Sequence, residues 1–525
     1  MIRYTLAMSV SNRTRFFWYA TSLSVGITSA CGDPPKTLNV AIPPWEETLN
    51  PLITNNLSTR QIVANVYESL LRIDDEGNVI PGLASGWEWD ATGTILTLTL
   101  NDGIRFHDGA VLNADVVVES LKRAVEYSAS SNLGSFFTVP FLGSARSSIR
   151  KVDDNTVSIH LSGPHYSLVR TLATPQLTPI MGTRAVMVSG MEFSTGTGRF
   201  RLTRFDWEGG LLVLDRFDQY WNSPTQPQRL KFIAVSDAED ALRMLRDGSA
   251  DLSLTISASE VSEIYSNESV ALVTGPHVNY LVIGMNNQRP PFNNRDARRA
   301  LAMGLDRERL VEEAYKGAAT PKREFIVQGL FPNAVSPPAP DYDPESAKEL
   351  IDSSISSGER GVTIVFPPLY SPERQHWLYE NLLYMLDPLG LQPQPRYTSS
   401  WDEHTSLVSE MEWDVSLDGM VSDNGDLYEF LHILYGHPSP AGGTGVFGLD
   451  SEELSDVLEA ARSSTDPEER IRHYENALAI IAREIPCVPL CTRANFIVRS
   501  SEVEPFELGV DISRVFSEVR KKGWR

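Results

Sequence analysis

The sequence predicts an α/β (mixed α+β) protein of two or three structural units, and three observations carry that prediction. The chain has 525 residues, enough for more than one domain. Short stretches of two-residue alternation are interspersed irregularly with segments of helical spacing. Between residues 37 and 524 there is neither a low-complexity stretch nor a recurring period, which excludes a solenoid.

Alternation predicts strands over 37–42, 95–100, 156–161, 211–215, 231–235, 280–286 and 362–366. In the second of these, Leu96, Leu98 and Leu100 alternate with Thr97 and Thr99, so one face is buried. Helices announce themselves by their caps. Ser58 with Gln61, and Ser236 with Glu239, read as capping boxes that satisfy free backbone donors. The second of these helices stops at Gly248, which tolerates a left-handed cap, and carries Leu242 and Leu245 toward a core. Pro344, Pro372 and Pro467 each follow Asp or Ser and fit the first helical position, where a missing N–H costs nothing.

The first thirty residues read as an address. Arg3, Arg13 and Arg15 precede an apolar run over 16–27, and the small residues Thr28, Ser29 and Ala30 follow. That run is shorter than the roughly 20 residues a membrane span needs, so residues 1–30 are expected to be a signal peptide, with Met8 an alternative start. Cys31 comes next, and Ser-Ala-Cys resembles a bacterial lipobox, although Thr28 stands where that motif prefers an aliphatic residue. The expectation is a lipidated Cys31, a linker over 31–36, and a mature chain in the periplasm or on the cell surface; a plain signal-peptide cysteine is the alternative.

Only Cys487 and Cys491 remain, and in an extended segment they would lie roughly 13 Å apart, beyond disulfide reach. They read as two small buried hydrophobes. No CxxC pair or His-rich cluster occurs, so neither a metal site nor a cofactor is expected. The formal charge of −22 comes without a dense basic patch, which argues against nucleic acid and against an anionic membrane surface as partners. Contact with the membrane is expected through the lipid anchor only.

Catalytic signatures are missing: there is no GxSxG elbow, HExxH helix or Walker loop. The Gly196 to Gly198 pair lacks a third glycine and runs into a strand, so it reads as a turn. The nine histidines, His107, His160 and His277 among them, stand singly. Asp153 with Asp154 and Glu452 with Glu453 fall in turns or helix starts, where acids are common. No enzymatic activity is expected.

The block "NVYESLLRIDDEGNVIPGLASGWEWDATGTILTLTLNDGIRFHDGAVLNADVVVESLKRAV", residues 65–125, closely resembles the bacterial extracellular solute-binding protein family 5, the peptide- and nickel-binding components of ABC importers. Tyr67, Glu68, Leu70, Pro81, Leu83, Ala84, Trp87, Phe106, Gly109, Ala114 and Asp115 stand in family order. Physically, that block reads as a helix ending near Leu71, a hairpin turn at Gly77, two large apolar residues at Trp87 and Phe106, and a helix capped by Asn113 that turns Val116, Val117, Leu121 and Val125 inward. "GTGRFRL" from Gly196 is similar to the family's GTGPY turn, with Arg199 for the proline, and "ALRMLRDGSADL" to its helix, Gly and Asp pattern. Residues 280–321 look like the lead into the second lobe, with Asn294 and Asp306 capping two helices.

The resemblance implies a two-lobed periplasmic-binding-protein fold with an extra inserted domain and a hinge of two crossing segments. Domain I would comprise 37–68, 193–285 and 490–525, domain II 69–192, and domain III 286–489, with crossings near 283–286 and 487–490. It further implies a monomer that captures a short peptide between the lobes and passes it to an ABC permease and ATPase complex.

The stretch "WDEHTSLVSEMEWDVSLDGMVSDNGD", residues 401–426, looks like the family's cleft segment of Trp, Gly-Trp and then an Asp that accepts a peptide amino terminus. Asp423 takes that role here, with Trp401, Gly419, Met420, Val421 and Cys491 as further ligand-binding candidates. A carboxylate in a drying cleft makes a strong charge-assisted bond to an ammonium; an Asx turn in "SDNGD" is the alternative for Asp423, and an interior side chain for Trp401. Met420 replaces the usual tryptophan and Cys491 an aromatic, so a different pocket shape is expected. A nickel chelate, opine or sugar on the same fold, a surface solute sensor, and a peptide hydrolase are the competing readings.

Overall fold

Strand Thr37–Ile42 is central because both of its faces are apolar: Leu38, Val40 and Ile42 point into one cluster with Leu212, Leu230 and Phe232, while Ala41 joins Leu242 and Leu245 on the other side. The computed structural model describes residues 35–54, 56–74, 77–130, 148–222, 227–256, 269–315, 319–327, 331, 334–367, 372–421, 427–436, 445–464, 466–509 and 516–524. The body of the protein begins at Lys36.

An eleven-stranded sheet runs through this body in the order Phe200–Asp206, Leu211–Arg216, Arg229–Ala234, Thr37–Ile42, Leu252–Ser253, Cys487–Ser500, Val270–Met285, Val415–Val421, Gly361–Phe366, Gln392–Tyr397, with Ala319–Pro321 added beside Cys487–Ser500. At one end Thr37–Ile42 pairs in parallel with Arg229–Ala234 and Leu252–Ser253. At the other, Gly361–Phe366 pairs in parallel with Gln392–Tyr397 and Val415–Val421. Two long antiparallel strands, Val270–Met285 and Cys487–Ser500, join the ends.

Three separate regions of burial follow this plan. The first is the two-faced cluster around Thr37–Ile42. The second gathers Leu96, Leu98, Phe106, Val117, Leu121 and Ile159 between a four-stranded antiparallel sheet and helix Ala114–Ser130. The third surrounds the far end of the large sheet and contains Trp413, Tyr435, Phe366 and Phe447, all fully buried. Leu96, Leu98 and Leu100 are buried as alternation requires, whereas Thr99 is exposed.

Glu68 ties the first region to the second. Its carboxylate accepts from Tyr220 Oη at 2.8 Å and Trp221 Nε1 at 3.1 Å, and burial raises its pKa above the ordinary range. In the third region, buried Arg307 donates from Nε to Pro489 O at 2.8 Å and from Nη2 to Ala302 O at 3.3 Å, fixing its helix to the strand Cys487–Ser500.

Several local expectations shift. Helix Leu57–Val63 is capped by Asn56, whose Oδ1 accepts from Thr59 N, so Ser58 lies inside the helix. Asn56 Nδ2 also donates to Pro44 O and Glu46 N donates to Thr59 Oγ1, tertiary ties that outweigh the local Ser58 signal. Helix Ala238–Asp247 is capped by Asp237, one residue after Ser236, and ends at Gly248 with φ +80°. Ser and Asp cap about equally well, so sequence alone does not choose between neighbours. The helix expected to reach Leu71 ends at Val63; Leu71–Ile73 instead forms a hairpin with Val79–Pro81 around Gly77, φ +84°. Pro344, Pro372 and Pro467 open their helices as expected.

The expected strand at 280–286 is the second half of a sixteen-residue strand. Gly275 and Pro276 hide the first half, because Pro lacks a ladder donor and Gly weakens a strand. The ladder shifts register between Thr274 and His277 and again between His277 and Asn279. Residues 270–274 pair only with 496–500, whereas 279–285 pair with 415–421 as well. The sheet therefore passes from one end to the other at 274–279, upstream of the expected 283–286, and correspondingly at 492–496 of the second long strand, after 487–490.

Candidate functional site

Strand direction locates the site. Leu252–Ser253 and Val270–Met285 both run antiparallel to Cys487–Ser500, so they share a direction, and Thr37–Ile42 and Arg229–Ala234 share it too. Their carboxyl ends lead toward residues 274–279. Val415–Val421 runs the opposite way, and its last residue, Val421, faces Asn279. The carboxyl ends of the parallel strands from both lobes thus converge on the crossing, the position where open α/β sheets bind ligands.

The polar residues of the crossing come from both long strands. Asn279 Nδ2 donates to Asn495 Oδ1 at 2.8 Å, and His277 Nδ1 lies 3.1 Å from Thr492 Oγ1. The Arg493 guanidinium lies over the Tyr315 ring, 5.6 Å from its centroid, with Nε buried and without a hydrogen-bond partner among the described residues. Just beyond Thr37–Ile42, Trp45 Nε1 and Glu46 Oε2 are likewise buried without a partner among the described residues. Of these, sequence reasoning named only His277, and only as a histidine standing singly; among the rest, only the position of Trp45 and Glu46 directly after a strand end was a usable signal.

The predicted candidates are partly brought together. Gly419 and Cys491 both face Leu281, one from each side, about 10 Å apart by strand spacing. Met420 faces Tyr280 and Val421 faces Asn279. Gly419 is exposed, and nothing lies within 4 Å of where its Cβ would stand. Strand Gly361–Phe366 covers the outer edge of this segment only at Val415 and Ser416, which leaves residues 417–421 without a second strand among the described residues. Cys491, by contrast, has no exposed surface, and burial pushes its thiol up to about 12. Trp401 begins helix Trp401–Ser409, where Ser400 Oγ accepts from Glu403 N. Asp423 and Cys31 lie outside the described residues.

One cluster has the residue types of a hydrolase without its connections. Ser416, Asp418 and His404 meet behind the crossing, with His404 Nε2 3.4 Å from Asp418 Oδ1, but Ser416 Oγ donates to Asp418 and not to the imidazole. A serine nucleophile needs the imidazole as its base. Among the described residues no group of three or more His, Cys, Asp or Glu is placed to hold a metal ion, and no helix is long and apolar enough to cross a membrane. A cavity of about 140 Å³ lined by Ile62, Tyr67, His107, Phe193 and Arg201 takes no residue from the third region, so it is not a cleft between lobes.

A sheet passing twice between two lobes, with strand ends converging on the crossing, defines a periplasmic binding protein. The chain belongs to the family described as "Bacterial extracellular solute-binding proteins, family 5 Middle", which residues 78–441 match. It is 25% identical to Heme-binding protein A of Haemophilus influenzae over 476 residues, 87% of this chain and 86% of that one. It is 24% identical to the Dipeptide-binding protein of Escherichia coli over 506 residues, 92% and 94% of the two chains. Its fold is similar to that of the ABC transporter-associated periplasmic binding protein DppA of Helicobacter pylori in complex with the peptide STSA, with TM-score 0.79 and 19% identity over 93% of this chain and 98% of that one. The protein is a solute-binding component of ABC-importer type and not an enzyme.

Proposed function

We propose that this protein captures a short peptide at the crossing and delivers it, as a monomer, to the permease and ATPase of an ABC importer. The observation that carries this reading is the uncovered edge of residues 417–421, ending where both lobes direct their strand ends. An extended peptide can add its backbone to such an edge and leave its side chains in roomy pockets, which gives sequence-tolerant uptake. Asp423, two residues beyond that edge, is the proposed acceptor for the peptide's amino terminus, with Trp401, Met420 and Val421 as walls. Fully buried Cys491 shapes the floor from behind.

In the same reading, one lobe takes 37–68 with the inserted 69–192, the chain from 193 up to the crossing at 274–279, and the chain after the second crossing at 492–496; the residues between the two crossings form the other. The two long strands are the hinge, and closure dries the cleft. Residues 1–30 are removed and a lipidated Cys31 holds the chain at the membrane through the 31–36 linker. A non-peptide solute is the second reading, supported by the heme-binding name of the Haemophilus influenzae relative.

Native mass spectrometry of the purified protein, followed by gentle release of bound small molecules, tests the proposal. A ladder of short-peptide masses, lost in Asp423→Ala, is expected. A single non-peptide mass retained by both proteins would overturn the peptide reading.

A further inference from the structure

We infer that Arg493 is an anion subsite that takes a carboxylate of the bound solute. The inference rests on the reading of the crossing as the ligand site and adds to it a chemical requirement on the ligand.

Among the described residues, three arginines bury an Nε that has no hydrogen-bond partner: Arg123, Arg360 and Arg493. Arg123 lies 3.6 Å from Glu119, and Arg360 lies 2.8 Å from Asp352. Arg493 has no carboxylate within ion-pair distance among the described residues, although the chain carries 68 acidic residues against 46 basic ones. The Tyr315 ring holds the guanidinium from one face at 5.6 Å. A ring fixes the plane of the group but leaves its in-plane donors unsatisfied. Only Nε is sealed off without an acceptor among the described residues, which is costly for that one donor, while the half-buried side chain keeps its Nη donors free to meet a ligand oxygen.

Position makes the subsite useful. Val421, Asn279, Arg493 and Ala319 form one row across four strands. The row runs through the crossing, and Val421 at its end is the last residue of the uncovered edge. Two strand spacings, about 10 Å, separate Val421 from Arg493, within the span of a two- or three-residue extended chain. Asn279, directly beside Arg493, is a neutral amide whose Nδ2 is engaged on Asn495, and it brings no carboxylate to compete for the guanidinium. A planar carboxylate fits the guanidinium fork through two parallel hydrogen bonds, which a lysine does not reproduce. The solute class is therefore one with a free carboxylate, such as a peptide with an unblocked carboxyl terminus.

Isothermal calorimetry on the full protein tests this, using di- to pentapeptides as free acids, the same peptides as C-terminal amides, and citrate as a non-peptide carboxylate. Free acids are expected to bind the wild type about tenfold or more tightly than their amides, and Arg493→Gln to erase the preference, with Arg493→Lys in between. Asn279→Asp, which places a carboxylate beside Arg493, should weaken the acids more than the amides; circular dichroism confirms that each variant is folded. Equal binding of acids and amides by the wild type, or a full preference kept by Arg493→Gln, overturns the subsite and leaves the peptide reading standing. If only citrate binds and loses affinity in Arg493→Gln, the subsite stands and the peptide reading falls. If the wild type binds neither, both fall.

Discussion

His165 Nε2 lies 3.4 Å from Glu429 Oε1, joining the second region of the protein to the third. His165 follows strand Thr156–His160, and Glu429 sits on helix Leu427–Tyr435. The Tyr428 ring meets the His165 ring edge-on at 5.6 Å, and the Arg462 side chain donates to Pro164 O while pairing with Glu459. His165 is 1% exposed, so this contact is dry on one side and more than a rim encounter.

A clasp between regions on opposite sides of the crossing should hold a closed form. Glu429→Ala and Arg462→Ala are each expected to raise the dissociation rate of a bound ligand about three- to tenfold, near 1 kcal/mol, through the closed population. Stopped-flow tryptophan fluorescence reads that rate. An unchanged rate in both variants would show that the contact has no part in closure.

The turn at Gly196 to Gly198 depends on missing side chains. A Cβ on Gly196 would stand 1.9 Å from Val66 O, and one on Gly198 2.6 Å from Asn65 O, both backbone atoms. Gly198 N also donates to Val66 O at 3.0 Å, so the two segments cannot separate cheaply. Gly196→Ala is expected to cost roughly 4 kcal/mol or to prevent folding. Gly86→Ala, with nothing within 4 Å of the new methyl, should stay within about 0.5 kcal/mol. Urea unfolding of the two variants makes the comparison, and similar midpoints would show that the turn yields.

Legibility in the sequence followed the range of the interactions. The strands at 37–42 and 95–100 were readable because their signal is alternation within six residues. The caps at Asn294, Asp343 and Asp466 were readable because the capping oxygen lies two or three residues from its donor. Ser58 and Ser236 misled because a nearby Asn or Asp caps as well, and at Asn56 tertiary ties decide the matter. Gly419, Met420 and Val421 came from the family resemblance, and the backbone brings them to the crossing. Arg493 was not readable: it is one of two arginines in a largely apolar strand, and its meaning comes from Asn279, Tyr315 and Ala319, brought beside it only by sheet pairing and helix packing. A site made where two distant strands meet has no local pattern to detect.

Cys487 and Cys491 should be chemically silent in the folded protein. Burial pushes each thiol from an ordinary value near 9 up to about 12, with a hydrogen bond from Tyr435 opposing this at Cys487. The reactive thiolate is then on the order of a thousandfold scarcer, and access is blocked as well. Iodoacetamide at pH 8 is expected to leave both unmodified in native protein and to label both in urea, by mass spectrometry. Native labelling of Cys491 at the rate of a free thiol would place it on the open cleft surface and in direct reach of ligand.

His107 should give the protein an acid-sensitive component of stability. Burial first, then the nearby Arg201, lower its pKa to about 4, although Asp108 and the bond to Gly198 O at 2.9 Å act in the other direction. Between the ordinary value near 6.5 and about 4, the unfolded chain takes up a proton there and the folded chain does not. Its contribution is therefore fully present above pH 6.5 and is lost as the pH falls through that window, at up to about 1.4 kcal/mol per pH unit. His107→Gln retains a donor for Gly198 O but does not titrate, so its stability should fall less, by roughly 3 kcal/mol across the whole window. Urea midpoints at pH 6.5, 5.5 and 4.5 for both proteins decide it: diverging curves are expected, and parallel ones would mean that the imidazole takes up its proton without opening the turn beneath Gly198.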